Sequence, residues 1–180
     1  MIPAMPWIPP LDEAAAPEAS RATADAHAAT GGRMTNMKWT LAHAPAALDA
    51  LLEWYPLHDQ VASFLGERRT NLFCHAISVQ RDCLICSTFF RRLLIDDGEN
   101  PDALALDELD RLIVDLGRAL ATDAHTVEPE LRTRLDAHFD ASQIVLLTAF
   151  GAIMVATNIV NDALGVPLDS YLEPYRGAPA

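Results

Sequence analysis

Asp82-Cys83-Leu84-Ile85-Cys86-Ser87-Thr88-Phe89-Phe90-Arg91-Arg92-Leu93-Leu94 is the stretch from which fold and chemistry can both be read. Asp82 stands where a helix N-cap is wanted. The spacing therefore predicts a helix that the cysteines open and that carries Phe89, Phe90, Leu93 and Leu94 towards a core. Gly98, after Asp96-Asp97, is a good C-terminal breaker. Cysteines at i and i+3 share one helix face, close enough for a strained but reversible disulfide. In the first turn, the helix dipole and free backbone N–H groups favour a thiolate and lower the thiol pKa. Such a pair suits two-electron thiol chemistry. One thiolate attacks a peroxide or disulfide, and its neighbour resolves the product into an intramolecular disulfide.

Two other readings of the pair stay open: half of a zinc site, or two small buried apolar residues. Zinc needs two further ligands, and the nearest candidates, Cys74 and His75, are adjacent rather than spaced, so no metal is expected. Free cysteine is among the most buried residue types, which is the case for simple burial. Cys74 itself, inside an apolar segment, reads as a core residue.

Outward from the pair, helical signals dominate. Upstream, Glu67 to Gln80 reads as a helix. Before it, a helix begins at Pro45, with Leu48, Leu51, Leu52 and Tyr55 at helical spacing, and Pro56 ends or kinks it. Downstream, Asp107 to Ala121 is amphipathic, Pro129 to Phe139 is shorter, and an apolar helix runs from about Ala141 to Leu164 before Gly165-Val166-Pro167. Residues 1–33 form a Pro- and Ala-rich N-terminal arm, with a short helix expected within Glu18 to Ala29. The helical domain spans 34–172 and a polar tail 173–180. No sustained period-two alternation or internal repeat is present, so the expected fold class is all-α, a helical bundle.

Composition narrows the function classes. Thirteen Lys and Arg against 25 Asp and Glu give a formal charge of -12, which repels phosphate backbones and anionic lipid surfaces, so neither nucleic acid nor membrane is an expected partner. The longest apolar stretch, Ile144 to Ala156, falls short of the roughly 20 residues of a spanning helix and reads as buried. The N-terminal Met1-Ile2-Pro3-Ala4-Met5-Pro6-Trp7 lacks a basic n-region and an apolar h-region. With an odd count of three cysteines, a cytoplasmic location is expected. No glycine-rich phosphate loop or nucleophile elbow is present, and no cofactor is expected.

Several segments, taken in order, resemble one family. Trp7-Ile8-Pro9-Pro10-Leu11, Gly31-Gly32-Arg33-Met34-Thr35-Asn36, Leu41-Ala42-His43-Ala44-Pro45-Ala46-Ala47-Leu48, the C-x-x-C and Leu164-Gly165-Val166-Pro167-Leu168 are similar to segments of the carboxymuconolactone decarboxylase and alkylhydroperoxidase D superfamily. The resemblance spans most of residues 7–172. It implies an all-helical alkylhydroperoxidase D-like bundle, a homo-oligomer, and a thiol-dependent peroxidase or disulfide oxidoreductase. In that order of roles Cys86 attacks and Cys83 resolves.

The family's redox branch places a Glu twelve residues before the first Cys and a His four residues after the second; here those positions hold Asn71 and Phe90. That proton relay is worth roughly 100- to 10,000-fold in rate. Asn71 cannot exchange a proton near neutral pH and Phe90 can do neither job. His75, one turn after Asn71, is the candidate replacement base, against the reading of a satisfied core or interface histidine.

The expected partners are a small-molecule peroxide or apolar substrate and a protein reductant. The competing expectations are a regulatory, non-catalytic homologue that binds a small apolar ligand, and a pathway-specific enzyme using the same pocket with other residues. His43 is read as a structural link between arm and body, and Glu67-Arg68-Arg69 as a solvated helix start with local charge pairs. Trp39, Trp54, Phe64, Phe150 and Met154 are read as core or subunit interface.

Overall fold

Proline and glycine punctuation cuts the chain into helices whose ends are visible in a computed structural model describing residues 5–177. The first four residues of the arm, the last three of the tail and the reading of the N-terminal sequence fall outside that range. The helices are α1 (Glu18–Ala29), α2 (Asn36–Leu41), α3 (Pro45–Leu52), α4 (Trp54–Leu65), α5 (Glu67–Gln80), α6 (Leu84–Asp96), α7 (Glu108–Thr122), α8 (Pro129–His138) and α9 (Ala141–Leu164). Short 3-10 turns cover Glu13–Ala15, Ala124–Thr126 and Ser170–Tyr175, and no strand is present among the described residues. The all-helical expectation therefore holds.

Local chemistry explains most boundaries. α7 and α9 start in capping boxes, Asp107 with Asp110 and Asp140 with Gln143, each satisfying two otherwise orphaned N–H groups. α9 stops where Gly165 takes a left-handed φ of 63°. The single helix expected from Pro45 to Tyr55 is in fact two. α3 ends at Leu52, and Pro56 lies in the first turn of α4, where a missing N–H costs no hydrogen bond. Neither α2 nor α4 was anticipated.

α5 is the central helix, packed by α4, α6, α7 and α9, with Phe73, Ile77, Leu112, Ile113, Leu147 and Phe150 fully buried between them. Gly117 lets α7 approach α5 closely: a Cβ there would stand 3.0 Å from the Phe73 carbonyl oxygen. At the α5 N-terminus, Arg68 and Arg69 both pair with the buried Asp110 of α7, and Arg69 also reaches Asp107. These arginines thus tie two helices together across the fold, which is a larger structural role than local pairing.

The arm straps the bundle. Trp7 and Ile8 donate backbone N–H groups to the Leu164 carbonyl, and His43 Nε2 lies 3.0 Å from the Pro9 carbonyl oxygen, the link expected of that histidine. The tail region is partly helical, since the 3-10 turn continues to Tyr175, whose hydroxyl donates to Asp96.

α9 has the bounds expected of it, Ala141–Leu164, but its apolar character extends beyond the Ile144 to Ala156 stretch. Its 24 residues are long and apolar enough to cross a membrane by length and composition alone. In this fold one face packs on α4, α5 and α7. Val145 (66 % exposed) and Ile159 (47 %) stand outward.

Candidate functional site

The α5–α6 turn sets the geometry of the cysteines. Asp82 is not the N-cap of α6; it adopts a left-handed φ of 56°. Its N–H donates to Val79 and the Cys83 N–H to Ser78, which is a Schellman closure of α5. Cys83 then serves as the N-cap of α6, with its carbonyl accepting from Ser87. Asp82 satisfies the end of one helix while Cys83 begins the next. The two cysteines are consequently separated by one tight turn of helix, and both are free thiols.

Four side chains form a line through the pair. Asn161 Nδ2 of α9 donates to Cys86 Sγ at 3.2 Å. Cys86 and Cys83 are hydrogen-bonded to each other. The Cys83 thiol donates to the carboxylate of Asp162, the residue after Asn161. Contact with Cys83 pushes the Cys86 thiol well above its ordinary value; burial adds to this, and the Asn161 contact opposes it. The lowered thiol pKa expected from the helix start is therefore not found at Cys86, where contact with Cys83 and burial both act against the thiolate. Burial likewise raises the Asp162 carboxyl, with the Cys83 contact opposing. Asp162 is exposed on its other side, so the line of groups runs from solvent to Cys86.

Cys86 borders a cavity of about 130 Å³, and Cys83 is not among its lining residues. The walls are mostly apolar, with Leu41 of α2, Leu52 of α3, Trp54 of α4, Phe89 and Phe90 of α6 and Met154 of α9. Trp54 donates its indole N–H to Met154 Sδ, so two residues read as core or interface are walls of this space. Asn161 is 2 % exposed and also lines the cavity, yet its Oδ1 has no hydrogen-bond partner among the described residues. A buried acceptor without a donor carries a cost of about 1–3 kcal/mol, which a ligand O–H or N–H would relieve.

One part of the cavity wall is polar. Lys38 is 5 % exposed, and its ammonium contacts His27 Nε2, the Arg33 carbonyl and the Tyr55 hydroxyl, each at 2.7 Å. Burial brings Lys38 down to about 8, with Asp169 opposing. Burial and the Lys38 charge lower His27, so His27 is the neutral acceptor of this contact. A Cβ on Gly32 would overlap the His27 ring, so glycine is needed for the arm to fold this closely over Lys38.

His75 does not line the cavity. It lies near the bidentate Arg91–Asp102 pair, where burial and the Arg91 charge bring it down to about 4. The imidazole is neutral at physiological pH. Cys74 is fully buried in the main core. Among the described residues no three His, Cys, Asp or Glu side chains cluster as metal ligands. Asn161, Asp162, Lys38 and Tyr55 were missed by sequence reasoning. No local motif marks them, because they join the cysteines and the cavity only through tertiary packing.

No protein-family model and no curated protein matches this sequence. Solved structures do match in fold. An alkylhydroperoxidase AhpD core, an uncharacterized peroxidase-related protein from Ralstonia eutropha JMP134, superposes with TM-score 0.68 at 18% identity, covering 94% of this chain and 96% of that one. A peroxidase-related protein from Silicibacter sp. TM1040 gives TM-score 0.70 at 18% identity, covering 98% and 99%. The debrominase Bmp8 gives 0.73 at 15% identity, covering 93% and 95%. A cysteine-to-alanine variant of Bmp8 has been solved with 2,3,4-tribromopyrrole, and it matches with TM-score 0.72. The chain thus has the alkylhydroperoxidase D-like helical fold.

Proposed function

We propose that this protein is a thiol-dependent oxidoreductase in which Cys86 and Cys83 deliver two electrons to a small apolar substrate. The observation that carries the reading is the order of the two sulfurs. Cys86 borders the cavity, Cys83 lies behind it in hydrogen-bond contact, and Asp162 connects Cys83 to solvent. This arrangement suits Cys86 as the attacking thiol and Cys83 as the resolving one. Asp162 takes the base role that sequence reasoning offered to His75. The size of the cavity favours a small organic hydroperoxide over a protein disulfide.

The steps balance. The Cys83 proton moves to Asp162 and the Cys86 proton to Cys83, leaving a Cys86 thiolate. The thiolate attacks the distal peroxide oxygen, the O–O bond breaks, and the alkoxide takes a proton from solvent and leaves as the alcohol. Cys83 sulfur then attacks the Cys86 sulfenic acid, the S–S bond forms, and hydroxide leaves with the Cys83 proton as water. Asp162 returns its proton to solvent, and an external dithiol or protein reductant restores the pair. The Bmp8 likeness supports a halogenated aromatic as an alternative acceptor. There the same two electrons would replace carbon–bromine by carbon–hydrogen and release bromide with a proton.

A second reading, a binding protein with a redox-sensing dithiol, draws support from the burial of both thiols and the raised Cys86 pKa. Rapid-mixing oxidation of the reduced protein by tert-butyl hydroperoxide separates the two. The enzyme reading expects loss of reaction in Cys86→Ser, arrest at a sulfenic acid in Cys83→Ser, and a slowing of about 100-fold in Asp162→Asn. Equal, slow rates in all variants would leave only the binding reading. We also propose a homo-oligomer working in a reducing compartment such as the cytoplasm.

A further inference from the structure

We infer that Tyr55 and Lys38 form an anion-recognising subsite of the Cys86 cavity, and that its preferred ligand is a small aromatic molecule bearing an acidic hydroxyl or carboxyl group. The inference rests on the cavity being the substrate site and adds the class of substrate that site takes.

Hydrogen-bond accounting locates the free donor. An ammonium has three N–H groups, and those of Lys38 are taken by Arg33, Tyr55 and His27. The Tyr55 oxygen accepts from Lys38, and its own O–H meets no acceptor among the described residues. Tyr55 lines the cavity and is 38 % exposed as a residue, while burial of its phenol raises its pKa, so the hydroxyl stays protonated as a donor. A phenol polarised by a buried cation behind it is a strong donor to an anionic oxygen.

The charge around this point is unlike the rest of the chain. The sequence carries a formal charge of -12. Here the Lys38 ammonium lies 5.0 Å from the Tyr55 ring centre, and Arg33 and Arg92 stack on Tyr171, a further lining residue, at 4.5 and 5.7 Å. The opposing group is Asp169, whose carboxylate accepts from the Asn36 backbone N–H. His27 is neutral. Arg92 also pairs with Asp96 at 3.5 Å, so three cations face two carboxylates, which leaves this part of the wall positive in an acidic protein. Deeper in, Trp54, Phe89 and Phe90 offer ring faces to an aromatic body, and the free Asn161 Oδ1 and the Cys86 thiol stand in the same cavity. An anionic group here exchanges part of its hydration for the Tyr55 hydroxyl and the positive surroundings, which offsets the cost of desolvating a charge.

The test is equilibrium binding to the reduced full-length protein of two probes of matched shape, 4-nitrophenol and 4-nitrotoluene. Neither needs the dithiol to react. The expected result is binding of 4-nitrophenol about tenfold tighter than 4-nitrotoluene, with its visible absorption reporting a larger phenolate fraction when bound than free. Tyr55→Phe and Lys38→Met should each bring the 4-nitrophenol to 4-nitrotoluene affinity ratio close to one. Tyr55→Phe keeps Lys38 and its other two partners, so it remains informative if Lys38→Met fails to fold. Equal affinities in the parent, or a preference that survives Tyr55→Phe, would overturn the inference. A preference seen in a protein whose cysteines never form a disulfide would uphold the subsite while sinking the oxidoreductase reading. Disulfide turnover without the preference would do the reverse.

Discussion

Burying the Lys38 ammonium among His27, Tyr55 and the Arg33 carbonyl brings its pKa from 10.5 to about 8. Between those values the unfolded chain holds a proton that the folded chain has released, so stability contributed by this group rises as pH rises from 8 to 10.5 and is constant below 8. The full effect is roughly 3 kcal/mol. Urea unfolding of the parent and of Lys38→Met at pH 7.5 and pH 10 checks it. The parent should gain on the variant at the higher pH, and titratable groups that do not touch Lys38 cancel in the comparison. A pH-independent difference would mean that Lys38 is well solvated. At this scale the sequence revealed the cysteine pair. It could not reveal Asp162, which is 76 residues beyond Cys86 and meets Cys83 only because α9 packs beside α6. Nor could it show the direction of the Cys86 shift, since burial and the Cys83 contact are tertiary facts.

Helix ends were legible where a glycine decides them, as at Gly98 and Gly165, and the starts of α7 and α9 fell within a residue of those expected. The α5–α6 turn was misread because Asp is at home both as an N-cap and in the left-handed region. The two roles predict opposite mutant effects. As an N-cap, Asp82 replaced by glycine would lose a few tenths of a kcal/mol. In the observed left-handed Schellman position, Asp82→Gly relieves strain and should raise stability by up to about 1 kcal/mol. Thermal unfolding decides between them. α3 and α4 merged in the reading because Pro56 is compatible both with ending one helix and with the first turn of the next. The difference rests on the packing of α4 against α9, which no local pattern encodes.

At the scale of the whole molecule, helical periodicity and the absence of alternation were enough for the all-α bundle, and the in-order segment resemblances were enough for its type. The outward face of α9 was not resolvable from composition. Its exposed Val145 and Ile159 underlie the proposed homo-oligomer. Light scattering should give at least twice 19.6 kDa for the parent, and a shift towards monomer for a Val145→Asp/Ile159→Asp double variant. A monomeric parent would sink that proposal. The α2–α4 segment, α6, α9 and the residues after α9 meet around one cavity bordered by Cys86, and the proposed chemistry depends on that meeting. The most direct test is an anaerobic titration of the reduced protein with one equivalent of tert-butyl hydroperoxide, followed by intact mass and disulfide mapping. The account predicts a loss of about two hydrogens per chain, a single Cys83–Cys86 bond and an untouched Cys74 thiol. Recovery of all three free thiols, or oxidation that proceeds equally in Cys86→Ser, would contradict it.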